Sequence, residues 1–113
     1  MPGIDAPHEI DVIAEDVDGA ALLSIVQRGP WAADGAERGR LKRKLATYLR
    51  YVEEGQMVST YPTLAGRPVV IALMYEHPLP SALLEYWRRR GEATVRDGIT
   101  LTTRPLADTV WQA

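Results

Sequence analysis

The chain has 113 residues, enough for one domain, with 13 Lys and Arg against 15 Asp and Glu for a formal net charge of -2. That balance gives no global attraction to nucleic acid or to an anionic membrane. The absence of cysteine removes disulfide scaffolds, thiolate zinc sites, iron–sulfur clusters and cysteine nucleophiles together.

Residues 1–8 include Pro2, Gly3 and Pro7 and read as a flexible N-terminal segment without the basic and apolar regions of a secretory signal. Residues 9–105 read as a single domain and 106–113 as a C-terminal tail. Residues 10–16 form a β-type run, and Asp18-Gly19 separates them from a second run at 20–28. Asp-Gly between two apolar runs predicts a tight hairpin of type I′, in which both central residues take positive φ. Gly29-Pro30 ends the second strand, because proline has no N–H to give to a ladder.

A helix follows. Asp34 and Glu37 have the spacing of a capping box. Leu41, Leu45, Tyr48, Leu49 and Val52 then recur along one face of a 3.6-residue helix. Gly55 offers the left-handed residue that stops it. Residues 56–61 fit either a short edge strand or an extended linker. Residues 69–75 are the most apolar run, held between Pro68 and Pro78, and predict a strand buried on both faces.

Pro80 suits the start of a second helix, whose apolar stripe is Leu83, Leu84, Trp87, Gly91, Thr94 and Val95. Gly91 within that stripe permits close approach to a sheet. Asp97-Gly98 ends the helix, and residues 99–104 alternate as a half-buried strand. The order is β-β-α-(β)-β-α-β. It predicts an α+β two-layer sandwich, with a mostly antiparallel sheet of four or five strands and two helices on one face. The other face is then solvated or an interface.

Several pieces of this chain resemble one family. They are residues 10–13 before the hairpin, Trp31, Lys44-Leu45 with Tyr48-Leu49, and the run 52–56 from Val52 to Gln56. Tyr61-Pro62, Gly66 and the apolar strand follow in order. The pattern is similar to that of the small bacterial DUF6572 domain family, whose core motif runs approximately K-L-N-x-Y-L-x-F-I-E-S-G-E. The resemblance covers about residues 8 to 104. It implies a fold and a bacterial, cytoplasmic setting, and no reaction. This chain departs from the motif at Ala46, where the motif has Asn, and at Glu37, where relatives tend to carry His.

Catalytic and metal constellations are poorly represented. His8 and His77 do not make the three or four ligands of a zinc site, and no cofactor is expected. Ser24, Ser59 and Ser81 lack the G-x-S-x-G surroundings of a nucleophile elbow. Asp11, Glu15, Asp16 and Asp18 cluster at the hairpin, where carboxylates are usually turn formers. Asp11 stands apart because it lies between Ile10 and Val12, and an edge-protecting or structural role is expected for it.

The expected function is a protein-interaction or regulatory module without catalytic activity, binding a protein partner or a second copy of itself. Trp31, Tyr61, Tyr75 and Trp111 are the expected partner contacts. One alternative is a nucleic-acid-binding module that uses the basic face of the first helix through Arg40, Arg43, Lys44 and Arg50. The other is a small-ligand-binding protein or hydrolase with a pocket near Asp11 and that helix. No membrane partner is expected, since no apolar run approaches the roughly 18 residues that a membrane span needs.

Overall fold

The computed structural model describes residue 4 and residues 9–32 and 35–106. Two strands open the fold, β1 (Val12–Glu15) and β2 (Ala21–Gln27). Helix α1 (Glu37–Glu53), the short helix α2 (Gln56–Thr60) and a 3-10 turn (Pro62–Leu64) lead to β3 (Val69–Tyr75). Helix α3 (Ser81–Thr94) and a second 3-10 turn (Val95–Asp97) lead to β4 (Ile99–Pro105).

The four strands form one sheet in the order β1-β2-β3-β4. This is the expected α+β class, but the strand directions differ from the expected sheet. Only β1 and β2 pair antiparallel, whereas β2 with β3 and β3 with β4 are parallel. For β2 and β3 the reason lies in residues 56–61. They form no strand: Gln56–Thr60 is a helical turn and Tyr61 leads into the 3-10 turn. With no strand interposed, α1 becomes a crossover from β2 to β3, and α3 repeats the arrangement from β3 to β4. A crossover connection of this length returns the chain in the same direction, as a hairpin cannot.

The hairpin forms at Asp18-Gly19, although as a three-residue loop. Gly19 N–H donates to Asp16 C=O at 2.9 Å, and Asp16 N–H donates to Ala20 C=O at 2.8 Å. Gly19 takes φ 88°, the positive value that glycine reaches without a Cβ clash. Asp18 Oδ1 accepts from Ala20 N–H at 3.0 Å and stiffens the turn.

Leu41, Leu45 and Tyr48 of α1, Leu83 and Trp87 of α3, and Leu23, Ile25, Ile71 and Leu73 of the sheet share one core. Both long helices therefore lie on one face, as expected. Each such aliphatic side chain contributes about 1.5–3 kcal/mol by leaving water. Helix α1 starts at Glu37 without a side-chain cap from Ala36; Asp34 lies outside the described residues. The Glu37 carboxylate does reach back, accepting from Ala32 N–H at 2.5 Å. Gly55, at φ 80°, separates α1 from α2.

Ile4 belongs to the core rather than to a flexible segment. It is buried, and its N–H donates to Gln27 Oε1 at 3.0 Å. Gly91 meets the sheet where expected: a Cβ placed on it would stand 3.4 Å from Leu101 Cβ. Trp87 adds a second tie, donating its indole N–H to Thr102 C=O at 2.9 Å.

Candidate functional site

Asp11 sits one residue before β1, where the antiparallel ladder to β2 runs out. Its carboxylate continues the pairing that the backbone stops making, because Oδ2 accepts from Val26 N–H at 2.9 Å. Its other oxygen, Oδ1, meets Lys44 Nζ at 2.6 Å, and both side chains are wholly excluded from solvent. Lys44 Nζ also donates to Glu9 C=O at 2.7 Å. Tyr48, one turn further along α1, donates its hydroxyl to Ser24 C=O at 2.7 Å and accepts from Asp11 N–H at 2.8 Å. Lys44 also lies 5.7 Å from the centre of the Tyr48 ring.

These groups form a clamp between the sheet edge and α1. Burial raises the Tyr48 hydroxyl above its ordinary range, with the Asp11 charge adding to the effect, so the phenol stays protonated at neutral pH. An enclosed ion pair and a neutral phenol with no solvent-facing side do not reach a diffusing substrate. The arrangement suits holding two elements together.

Lys44 is therefore corrected from a nucleic-acid contact to a buried residue. Its position could have shown this. It lies three residues after Leu41 and four before Tyr48, on the apolar stripe rather than opposite it. The remaining expected contacts of that set stay nearer the surface, Arg43 and Arg50 exposed and Arg40 half-buried. On α3, Arg88 pairs with Glu85 and Glu92, and Arg89 pairs with Glu85. Those two arginines are largely neutralised by their own helix.

A different feature lies at the outer edge of β1. A cleft of about 400 Å³ runs beside Ile13, Ala14 and Glu15, with Tyr61, Leu64 and Arg67 opposite. Arg67 builds its wall: it pairs with Glu15 and donates to Gly19 C=O at 2.8 Å and to Thr63 C=O at 2.9 Å. Tyr61 is 43% exposed, and Val17 at the hairpin tip is fully exposed. Asp16 N–H bonds Ala20 across the hairpin, and Ala21 N–H bonds Pro68 C=O on the other side. By the alternation of an antiparallel pair, the amides of Ile13 and Glu15 then point away from β2, toward the open edge.

The expected partner contacts do not form one patch. Tyr61 lines the cleft. Trp31 lies beyond the far end of β2, half-buried against the core, with its indole N–H donated to His77 C=O at 2.7 Å. Tyr75 is half-buried at that same far end, paired in register with Gln27. A strand of this length spans about 20 Å, so Tyr61 stands well apart from both. Trp111 lies outside the described residues.

Near the start of β1 and the second half of α1 lies a smaller cleft of about 260 Å³ lined by Ile10, Thr47, Arg50, Tyr51, Glu54 and Gln56. Asp11 itself does not line it. Among the described residues no group of three His, Asp or Glu side chains is placed to hold a metal ion. His8 lies outside them. No described helix is long and apolar enough to cross a membrane.

The architecture is thus a four-stranded mixed sheet with helices on one face, an enclosed Asp–Lys–Tyr clamp and a cleft beside the edge strand β1. The chain belongs to DUF6572, a family of unknown function, whose model matches residues 3–107. No curated protein and no solved structure matches the chain.

Proposed function

We propose that this protein is a non-catalytic interaction module that takes an extended segment of a protein partner alongside β1. The observation that carries this reading is the open edge of β1 beside a cleft with Tyr61 on its far wall. An unpaired edge strand offers backbone N–H and C=O groups to a peptide, and a neighbouring cleft supplies side-chain selectivity. The opposite edge differs. There Thr94, at the end of α3, donates its hydroxyl to Ile99 C=O at 3.0 Å, so the helix covers the outward-facing carbonyl at the start of β4.

The reading is tested by selecting peptides from a random library displayed against the full chain. Selected peptides should bind the protein and perturb the backbone amide resonances of Ile13 and Glu15. Glu15→Pro removes an outward N–H without touching a bond to β2, and should weaken binding at least tenfold. Glu15→Gln keeps the N–H while removing the charge that pairs with Arg67, and should retain binding. Peptides whose binding is indifferent to Glu15→Pro, or that perturb another surface, would overturn the assignment. Failure to select any peptide would do the same.

A further inference from the structure

The cleft beside β1 does not end at its own wall. Leu64 and Arg67 also line a second cleft of about 520 Å³, which opens at the starts of β3 and β4. Its floor is buried Met57, Leu64 and Val69, with half-buried Val52 beside them. Val58 stands at its lip, 37% exposed. The saddle between the two clefts is fixed, because Arg67 is held by Glu15, Gly19 C=O and Thr63 C=O.

The charges along this path are uneven. The Arg67 guanidinium is matched by Glu15. Asp97 lines the second cleft and forms no ion pair among the described residues. Its neighbour Arg96 is exposed but does not line the cleft.

We propose that the segment taken by the β1 edge continues past Arg67 and is read by this second cleft. Its chemistry is an apolar side chain for the Met57–Leu64–Val69 floor, with a lysine or arginine beyond it for Asp97. This inference rests on the β1-edge reading and extends it. Strand β1 has four residues, so its edge offers few backbone bonds to a partner. The apolar floor supplies contact area that those few positions lack. An unmatched carboxylate at the rim favours a basic group and disfavours an acidic one.

The test is selection of displayed random peptides against the full chain, followed by nuclear magnetic resonance with labelled amides and methyl groups. Selected peptides should carry the apolar and basic pair. They should shift the Ile13 and Glu15 amides and the Met57 and Val58 methyl signals together. Asp97→Lys should weaken these peptides about tenfold and select acidic residues in place of basic ones. Asp97→Asn, which only removes the charge, should weaken them less. Peptides that shift Ile13 and Glu15, yet leave Val58 unmoved or bind Asp97→Lys equally, would overturn this inference and leave the edge reading standing. Shifts at Val58 without any at Ile13 or Glu15 would end both. Val58 shifts that grow with protein concentration before peptide is added would overturn the inference in favour of a second copy in this cleft.

Discussion

Lys44 Nζ stands 2.6 Å from Asp11 Oδ1, with neither side chain exposed to solvent. The two residues are 33 positions apart, one on α1 and one at the mouth of β1. Removing two charges from water is expensive, and their attraction offsets it only when the remaining hydrogen-bonding capacity is also used. Here Asp11 also takes the Val26 amide, and Lys44 also binds Glu9 C=O. The pair therefore fixes where the first strand ends and which turn of the helix faces it.

Tyr48 belongs to the same clamp through its hydroxyl alone. Tyr48→Phe leaves the ring in the core and deprives Ser24 C=O and Asp11 N–H of a partner. Leaving buried polar groups unsatisfied costs about 1–3 kcal/mol each. Urea unfolding should show a loss of that order, with the midpoint reduced and the slope unchanged.

Gly91 tests how tightly α3 lies on β4. A methyl there meets Leu101 Cβ at 3.4 Å, an ordinary contact. Replacing a mid-helix glycine by alanine is worth about 1 kcal/mol in helix propensity. Gly91→Ala should therefore raise the melting temperature or leave it unchanged. Gly91→Val, with two more methyl groups against Leu101, should lower it, and calorimetry on the two variants checks the difference in sign.

Acid should weaken the fold through two carboxylates. Hydrogen bonds from Arg88 and then Arg89 lower the Glu85 pKa from 4.5 to about 2. A hydrogen bond from Arg104 lowers that of Asp16 below its ordinary 3.8. In both cases the unfolded chain takes up the proton first. Their contribution is fully present above the ordinary carboxylate range and is lost as pH falls through the lowered folded values. The melting temperature should drop between about pH 5 and pH 2. Arg104→Ala, which frees Asp16 from a 2.9 Å bond, should make that drop shallower.

Much of the architecture is written in local pattern. The Leu41–Leu45–Tyr48 spacing marks the buried face of α1, Gly55 marks its end, and Asp18-Gly19 marks the hairpin. Strand direction is less local. Between β2 and β3 it turns on whether residues 56–61 are a strand, and that stretch has no decisive periodicity; its helical turn leaves the connection a parallel crossover. The clamp is hidden for another reason. The apolar stripe places Lys44 on the buried side of α1, but nothing near it in the chain announces the carboxylate it meets. The site at the β1 edge is half legible. Tyr61 stands out as an aromatic, but the cleft beside it exists only once Arg67 ties the loop to the hairpin.

Asp11, Lys44 and Tyr48 tie α1 to the edge of the sheet. A double-mutant cycle on unfolding free energy tests it most directly. Lys44→Met strands a buried carboxylate and should cost about 3–5 kcal/mol. Asp11→Asn combined with Lys44→Met removes both charges and keeps an oxygen for Val26 N–H. The double variant should recover a large part of the loss, giving a coupling energy of about 2–3 kcal/mol. Stability unchanged in Lys44→Met, or strictly additive losses in the pair, would contradict the claim.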